Sequence, residues 1–171
     1  LQSGDRHPEA TALEIGAGSS PLVQLLSQQY APVTCVDNSE AMLRATRAAI
    51  KAWELKNVDG RYADVLKIDP DAQVDLLVIN MVLHHIASPS SFCEAARPWM
   101  VPEGRLLVID LCPHDQDWAR EICGDQWLGF DPSDLMTWAL NAGFRSDQTA
   151  YLGLKNGFQI QIHLFQPNIE L

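Results

Sequence analysis

Apolar runs of strand length alternate along the chain with longer stretches whose apolar residues recur at helical spacing. The first run, Thr11 to Ile15, ends in the loop Gly16-Ala17-Gly18. Ser20 then offers a hydroxyl to cap a helix, and Pro21 suits the first helical position because its missing N–H needs no partner there. Leu22, Val23, Leu25 and Leu26 form the expected buried stripe of that helix. A second run, Pro32 to Val36, ends at Asp37. Ser39 caps the next helix, which sets Met42, Leu43, Ile50 and Trp53 largely on one face. A short third strand is expected at Arg61 to Ala63, ahead of Asp64. The fourth, Asp75 to Ile79, is unbroken β-forming sequence, as suits a strand covered on both faces.

Ser91 and Glu94 have capping-box spacing for another helix, which Pro98 should end or bend. Pro102-Glu103-Gly104 should turn the chain into a fifth strand, Arg105 to Ile109. Beyond it the alternation changes. Asp131-Pro132 reads as the cap and first residue of a helix closed by Gly143. Two strands then follow directly, Phe144 to Leu152 and Phe158 to Phe165, joined near Lys155-Asn156-Gly157, and Asn-Gly is a hairpin signal. This order predicts an α/β fold, a doubly wound, seven-stranded, mostly parallel sheet edged by an antiparallel C-terminal hairpin. No repeat, low-complexity tract or linker interrupts residues 1–171, which read as a single domain.

Composition narrows the function more than the fold. A hydrophobic content of 47% with 20% charged residues describes a globular chain, and a net charge of -10 leaves no electrostatic footprint for nucleic acid or an anionic membrane. The longest apolar stretch, Val74 to Leu83, is broken by Asp75 and Asn80 and is too short to span a bilayer. With no secretory signal pattern and four scattered cysteines (Cys35, Cys93, Cys112, Cys123), a cytoplasmic protein with reduced thiols is expected. Cys112 and Cys123 could alternatively share a thiophilic site.

The candidate chemistry gathers where the strands end. A glycine loop between a first strand and a first helix is where an open parallel sheet takes a nucleotide-like ligand. Asp37 closes the second strand, where a carboxylate can accept both hydroxyls of a ribose; Asp64 closes the third and can meet an adenine amino group; Asn80 closes the fourth. Each alone could be a solvated strand end; in series they describe one ligand crevice. The dinucleotide pattern wants glycine where this chain has Pro21, and Glu14 just before the loop would repel a pyrophosphate. A sulfonium ligand with an ammonium end suits that carboxylate better, which points to S-adenosylmethionine rather than NAD.

Leu13-Glu14-Ile15-Gly16-Ala17-Gly18, Val36-Asp37-Asn38-Ser39, Asp64-Val65, Asn80 through Ile86 and Pro102 through Leu106 resemble the motifs of class I (Rossmann-like) methyltransferases across essentially the whole chain. The resemblance implies strand order 3-2-1-4-5-7-6, S-adenosyl-L-methionine as cofactor, S-adenosyl-L-homocysteine as product, and a methyl acceptor that is a small molecule. It implies that Glu14, Gly16, Ala17 and Gly18 lie under the methionine part and that Asp37 holds the ribose. Asn38 and Met42 would flank the adenine, Asp64 and Val65 would bind its edge, and Asn80 with Met81 would meet the cofactor amino group. The tract His114-Asp115-Gln116-Asp117-Trp118 through Phe130, with Asn156-Gly157-Phe158-Gln159, resembles a bacterial subgroup often fused to an arsenic-responsive-type winged-helix domain. Only about ten residues precede the first strand, so the family's N-terminal lid helices are expected to be lacking, and a partner subunit, as in a homodimer, could close the site.

Methyl transfer needs a general base only where the acceptor must lose a proton. His84, His85, His114 and Asp115 are the candidates for that base, with His85, His114 and Asp115 put forward as catalytic. His85 can equally be read as fixing its loop, and His114 as an exposed helix start. Trp118, Trp127 and Phe130 could wall an apolar acceptor pocket or belong to the core. No histidine, cysteine or acid spacing along the chain resembles a metal-ligand set, so no metal is expected. Two other readings stay open: a domain that senses S-adenosylmethionine without consuming it, and an NAD(P)-dependent oxidoreductase.

Overall fold

Side chains alternate between the two faces of a strand, and both β1 (Ala12–Ile15) and β4 (Val74–Asn80) are buried on both. Leu13, Ile15, Leu77 and Ile79 enter one core with Phe92, Trp99, Leu135 and Phe144. Ala12, Leu76 and Val78 enter the other with Val23, Leu26, Val33 and Cys35. Two covered faces are why these strands read as continuous apolar runs. The computed structural model describes residues 9–64, 68 and 73–168. In it β1 and β4 join β2 (Val33–Asp37), β3 (Val58–Tyr62), β5 (Met100–Leu111), β6 (Phe144–Gly153) and β7 (Gln159–Pro167) in one sheet, ordered β3-β2-β1-β4-β5-β7-β6. The first five strands run parallel, and β7 lies antiparallel to both β5 and β6.

Among the described residues, five α-helices accompany the sheet: α1 (Leu22–Gln29), α2 (Glu40–Ala52), α3 (Pro89–Ala96), α4 (Trp118–Ile122) and α5 (Pro132–Asn141). Residues of α1 pack into one core, those of α3 and α5 into the other. The strand order reverses between β1 and β4, and an open sheet leaves a crevice at such a reversal, outside the C-terminal strand ends. Leu77, fully buried at the centre of β4, shows what holds this crevice floor. Leu77→Ala is expected to cost about 2–5 kcal/mol in urea unfolding, from lost burial plus the residual cavity.

The structure departs from the sequence reading in several places. Leu25 is 53% exposed, because an eight-residue α1 inserts only Val23 and Leu26, one turn apart, into the core. β3 begins at Val58, three residues before the expected start, since β2 pairs along its whole length from Val33↔Val58 to Asp37↔Tyr62. The α3 helix starts at Pro89 with Ser88 as cap residue, so Ser91 lies inside the helix and accepts the Ser88 hydroxyl at 2.9 Å; proline's fixed φ suits the first helical position. Pro102-Glu103-Gly104 lies within β5, in a bulge between the pairs Val74↔Met100 and Leu76↔Arg105. α1 begins at Leu22 with Pro21 in the cap position, one residue later than read, although the Ser20 hydroxyl still accepts the Leu22 N–H at 3.2 Å. Two other local signals hold. Asp131 accepts the Ser133 N–H at 2.8 Å at the head of α5, and the Asn156-Gly157 turn joins β6 to β7.

Candidate active site

The loop after β1 departs from ordinary backbone twice, at Gly16 (φ 78°) and Gly18 (φ 51°). Both lie in the left-handed region that glycine enters without a Cβ penalty. Gly16 also has no room for a side chain: a Cβ there would run into Val82 and stand 2.7 Å from the Asn80 carbonyl. Gly18 is open, its nearest neighbour being the Met42 sulfur at 3.9 Å from a virtual Cβ. Its carbonyl is pinned from α2 by the Thr46 hydroxyl at 2.6 Å. Thr46 escaped the sequence reading, although a threonine in register with Leu43 on an otherwise apolar helix face was a visible signal.

Beneath the loop, the period-two alternation of β1 and β4 puts Glu14 and Asn80 on the same side of the sheet. With Glu14 paired to Val78, Asn80 is its diagonal neighbour, and its Nδ2 donates to Glu14 Oε1 at 3.1 Å. Glu14 is wholly buried, and its second oxygen, Oε2, has no hydrogen-bond partner. Burial pushes the Glu14 carboxyl up to about 7, against the lowering effect of the Asn80 hydrogen bond. A buried carboxylate oxygen without a donor costs free energy and waits for a cation. Met81, directly after Asn80, takes φ 54°, a strained conformation for a bulky residue that turns the chain sharply off β4.

Asp37 ends β2 as expected. Its Oδ1 accepts the Ser39 N–H at 2.8 Å, and the carboxyl sits above its usual range. Burial is the main cause, opposed by the Ser39 and Asn38 amides and by the His85 ring. Asn38 and Met42 are exposed at the same end of the sheet, Met42 at 45%. Asp64 is half-buried two residues beyond β3, whereas Val65 lies outside the described residues. So Glu14, Gly16, Ala17, Gly18, Asp37, Asn38, Met42, Asp64, Asn80 and Met81 all gather at the C-terminal ends of β1 to β4 or in the segments just beyond them.

The candidates for proton chemistry separate. His85 ends a short 3-10 turn, Leu83–His85, with its side chain 42% exposed. His114 is half-buried, its Nδ1 accepting the Gln116 N–H at 3.3 Å rather than engaging Asp115. Its Nε2 is buried without a partner, and its ring meets Phe158 edge-on at 4.8 Å. Asp115 is exposed, and its carboxylate accepts the Gln116 side-chain amide at 3.3 Å, so the neighbouring pair in sequence is not a pair in space. Of the three aromatics, Phe130 is core, Trp118 is 46% exposed beside Phe158, and Trp127 is partly exposed.

Sequence reasoning named His84 as a candidate base but missed its partners Asp110 and Asp125. This ring is buried, and its Nδ1 lies 2.7 Å from Asp110 Oδ1, with Asp125 Oδ1 3.8 Å from its Nε2. Burial alone would lower the His84 pKa, but the hydrogen bond and charge of Asp110, joined by the charge of Asp125, outweigh it and hold the pKa raised. Asp110 was legible as a fifth strand-end acid, one residue past the expected end of its run; Asp125 was not. Gln161 on β7 supports this region, donating to the Leu111 and Phe130 carbonyls at 3.1 and 2.7 Å while His163 bonds its own oxygen at 2.8 Å. All four cysteines are free, and burial pushes the Cys35 and Cys93 thiols up to about 12, which leaves them inert at neutral pH.

A family model described as a methyltransferase domain matches residues 13–108, more than half of the chain and all of the crevice-forming strands. The chain belongs to this methyltransferase domain family. Among its relatives, (S)-tetrahydroprotoberberine N-methyltransferase of Eschscholzia californica is 32% identical over 106 residues, covering 61% of this chain and 30% of that one. The ubiquinone biosynthesis O-methyltransferase of Coxiella burnetii is 25% identical over 165 residues, 86% of this chain and 70% of that one. This methyltransferase domain spans between about a third and a half of the length of the first curated relatives it matches.

Solved structures share the methyltransferase fold. A SAM-dependent methyltransferase from Aquifex aeolicus superposes with TM-score 0.70 at 20% identity, covering 92% of this chain and 83% of that one. A phosphoethanolamine-type N-methyltransferase of Haemonchus contortus, solved with phosphomonomethylethanolamine and S-adenosylhomocysteine, gives 0.78 at 12% identity over 96% and 51%. The [4+2]-cyclase SpnF gives 0.76 at 13% identity over 94% and 75%. No helix among the described residues of the domain is long and apolar enough to cross a membrane.

Proposed function

We propose that this methyltransferase domain transfers the methyl group of S-adenosylmethionine to a small-molecule acceptor bearing a nitrogen or oxygen nucleophile. The observation that carries the reading is Glu14: a wholly buried carboxylate, one oxygen unpartnered, under a glycine loop that admits no side chain at Gly16. An ammonium group supplies what Oε2 lacks, whereas a pyrophosphate would meet a charge of its own sign. Gly16, Ala17 and Gly18 would hold the methionine part with Glu14 and Asn80, and Met81 would shape that end of the site. Asp37 would bind the ribose, Asn38 and Met42 would flank the adenine, and Asp64 and Val65 would meet its edge.

When bound, S-adenosylmethionine supplies an electrophilic methyl on a positively charged sulfur, so the protein need not activate a leaving group. What remains is to hold the acceptor atom in line at about 3 Å and to exclude water. His85, partly exposed beyond β4, would take the proton of an acceptor amine or hydroxyl. His114, with an unpartnered Nε2 beside Phe158 and Trp118, would orient the acceptor, and Asp115 would act only from the surface. The relatives named for N- and O-methylation support a small acceptor. The tract from His114 to Phe130 supports the bacterial subgroup often fused to a winged-helix domain.

A fold shared with a [4+2]-cyclase does not by itself determine the chemistry, so both binding and transfer must be measured. S-adenosylhomocysteine is expected to raise the melting temperature by several degrees and NAD to leave it unchanged; the reverse would make the crevice a dinucleotide site. Labelled S-adenosylmethionine offered with a panel of amines and phenols should label at least one. Binding without any transfer would turn the reading to a sensing domain.

A further inference from the structure

Beside the crevice, His84, His85 and Asp125 converge; the methyl-transfer reading uses only His85 of the three, as a proton acceptor, and a metal bound there would take the place of that role. His84 Nε2, His85 Nδ1 and an Asp125 oxygen all lie within 4.8 Å of one another. Asp125 Oδ1 stands 3.8 Å from the first and 3.5 Å from the second, too far for a good hydrogen bond to either. The same oxygen is buried with no hydrogen-bond partner, on a residue only 7% exposed. Two imidazole nitrogens and a carboxylate oxygen therefore cluster without a good hydrogen bond among them, and His85 Nδ1 has only a long 3.5 Å contact to the Gly124 carbonyl besides.

We propose that His84, His85 and Asp125 bind one divalent transition-metal ion of the zinc type. Four-coordinate zinc holds nitrogen and oxygen ligands at about 2.0–2.2 Å, which places neighbouring ligand atoms roughly 3.4 Å apart. The Asp125 spacings, 3.5 and 3.8 Å, lie close to that, and the widest separation in the group, within 4.8 Å, would close by up to about 1.4 Å on binding. Asp110 completes the arrangement from behind. Its 2.7 Å contact keeps the proton on His84 Nδ1 and leaves the Nε2 lone pair toward Asp125, as the carboxylate behind a metal-ligating histidine does. The segment carrying Asp125 is clamped to the histidine turn by Gln126 N–H to the His84 carbonyl at 2.9 Å, Gln126 Nε2 to the His85 carbonyl at 2.7 Å and Trp127 Nε1 to the Ile86 carbonyl at 2.9 Å. Three protein ligands, one of them a partly exposed histidine, leave a position for water or for an acceptor heteroatom. The donor set favours zinc, cobalt or nickel over magnesium or calcium, which prefer all-oxygen sites.

The inference does not depend on methyl transfer, because it is tested without cofactor. The full chain, stripped with chelator, is titrated calorimetrically with zinc chloride and, separately, with cobalt(II) monitored in the visible. One ion per chain at micromolar or tighter affinity is expected, with cobalt d–d bands of a low-coordinate nitrogen–oxygen site and no uptake of magnesium. Asp125→Asn and His85→Gln should each weaken binding at least tenfold, while Cys123→Ser, which removes the one exposed thiol close by in sequence, should leave it unchanged. Circular dichroism without metal shows whether each variant is folded, and the comparison is made between folded proteins. Absence of binding, or binding lost in Cys123→Ser but kept in Asp125→Asn, overturns the proposal.

Discussion

Gly16→Ala is expected to destabilise the domain by about 2–5 kcal/mol and to weaken S-adenosylhomocysteine binding more than tenfold. The added methyl meets two obstacles at once. The backbone at φ 78° costs an L-residue about 1–2 kcal/mol, and the Cβ falls on Val82 and within 2.7 Å of the Asn80 carbonyl. Val82 can rotate, but the Asn80 carbonyl belongs to β4 and can move only with the strand, so overpacking adds about 1–3 kcal/mol. Gly18→Ala is the informative contrast. It shares the positive φ but meets nothing nearer than the Met42 sulfur at 3.9 Å, so its stability loss should stay near the backbone cost alone. Its effect on binding should persist, since in the proposed binding mode the added methyl would stand against the cofactor. Urea unfolding and calorimetric titration of both variants separate the two costs. A Gly16→Ala protein as stable as wild type would show that the loop does not press against β4.

Glu14→Gln is expected to stabilise the empty protein at pH 8 by up to about 3 kcal/mol while weakening cofactor binding at least tenfold. Below pH 4.5, the ordinary value for this group, Glu14 is neutral in both folded and unfolded chains and contributes no difference. As pH rises, the unfolded chain ionises first and the folded one keeps its proton up to about 7. The folded state binds more protons across that window, so its stability falls with rising pH and is lowest above about 7. At about 1.4 kcal/mol per unit the loss reaches about 3 kcal/mol. Glutamine removes it, so urea unfolding at pH 5 and pH 8 should show the two proteins diverging only at the higher pH. The ligand has the opposite slope. An ionised Glu14 attracts an ammonium group, so S-adenosylhomocysteine affinity should climb as pH rises through about 7, and the glutamine variant should be flat there. A variant less stable than wild type at pH 8 would mean that Glu14 is not held against its charge by burial.

The elements and their order were readable because their signals are local. The continuous apolar runs at Ala12–Ile15 and Val74–Asn80, the Asp131-Pro132 helix start and the Asn156-Gly157 turn each depend on a few adjacent residues, and each stands within a residue of where it was expected. The boundaries that moved did so under non-local pressure. β3 follows the pairing of β2 despite its own Asp59-Gly60, and β5 runs through residues that alone would favour a turn. Leu25 shows the same limit, since an apolar residue on a short helix need not find a core.

For the site, the sequence by itself determined the floor. Glu14, Gly16, Gly18, Asp37, Asp64 and Asn80 each close or follow a strand, and parallel strands must bring their C-terminal ends to one edge, so the residues meet wherever such a sheet forms. What only the tertiary structure decided is which side chains share contacts across that edge. Asn80 bonds Glu14 because a diagonal pair of neighbouring strands faces one way, and His114 turns from Asp115 because the Gln116 amide takes its Nδ1. His84 meets Asp110 and Asp125 because the chain after β5 folds back onto the turn after β4, through backbone bonds such as Gln126 N–H to the His84 carbonyl. Strand-end chemistry follows from periodicity, which a sequence carries locally. The convergence of side chains from separate loops follows from packing and hydrogen bonds that exist only once the chain has closed.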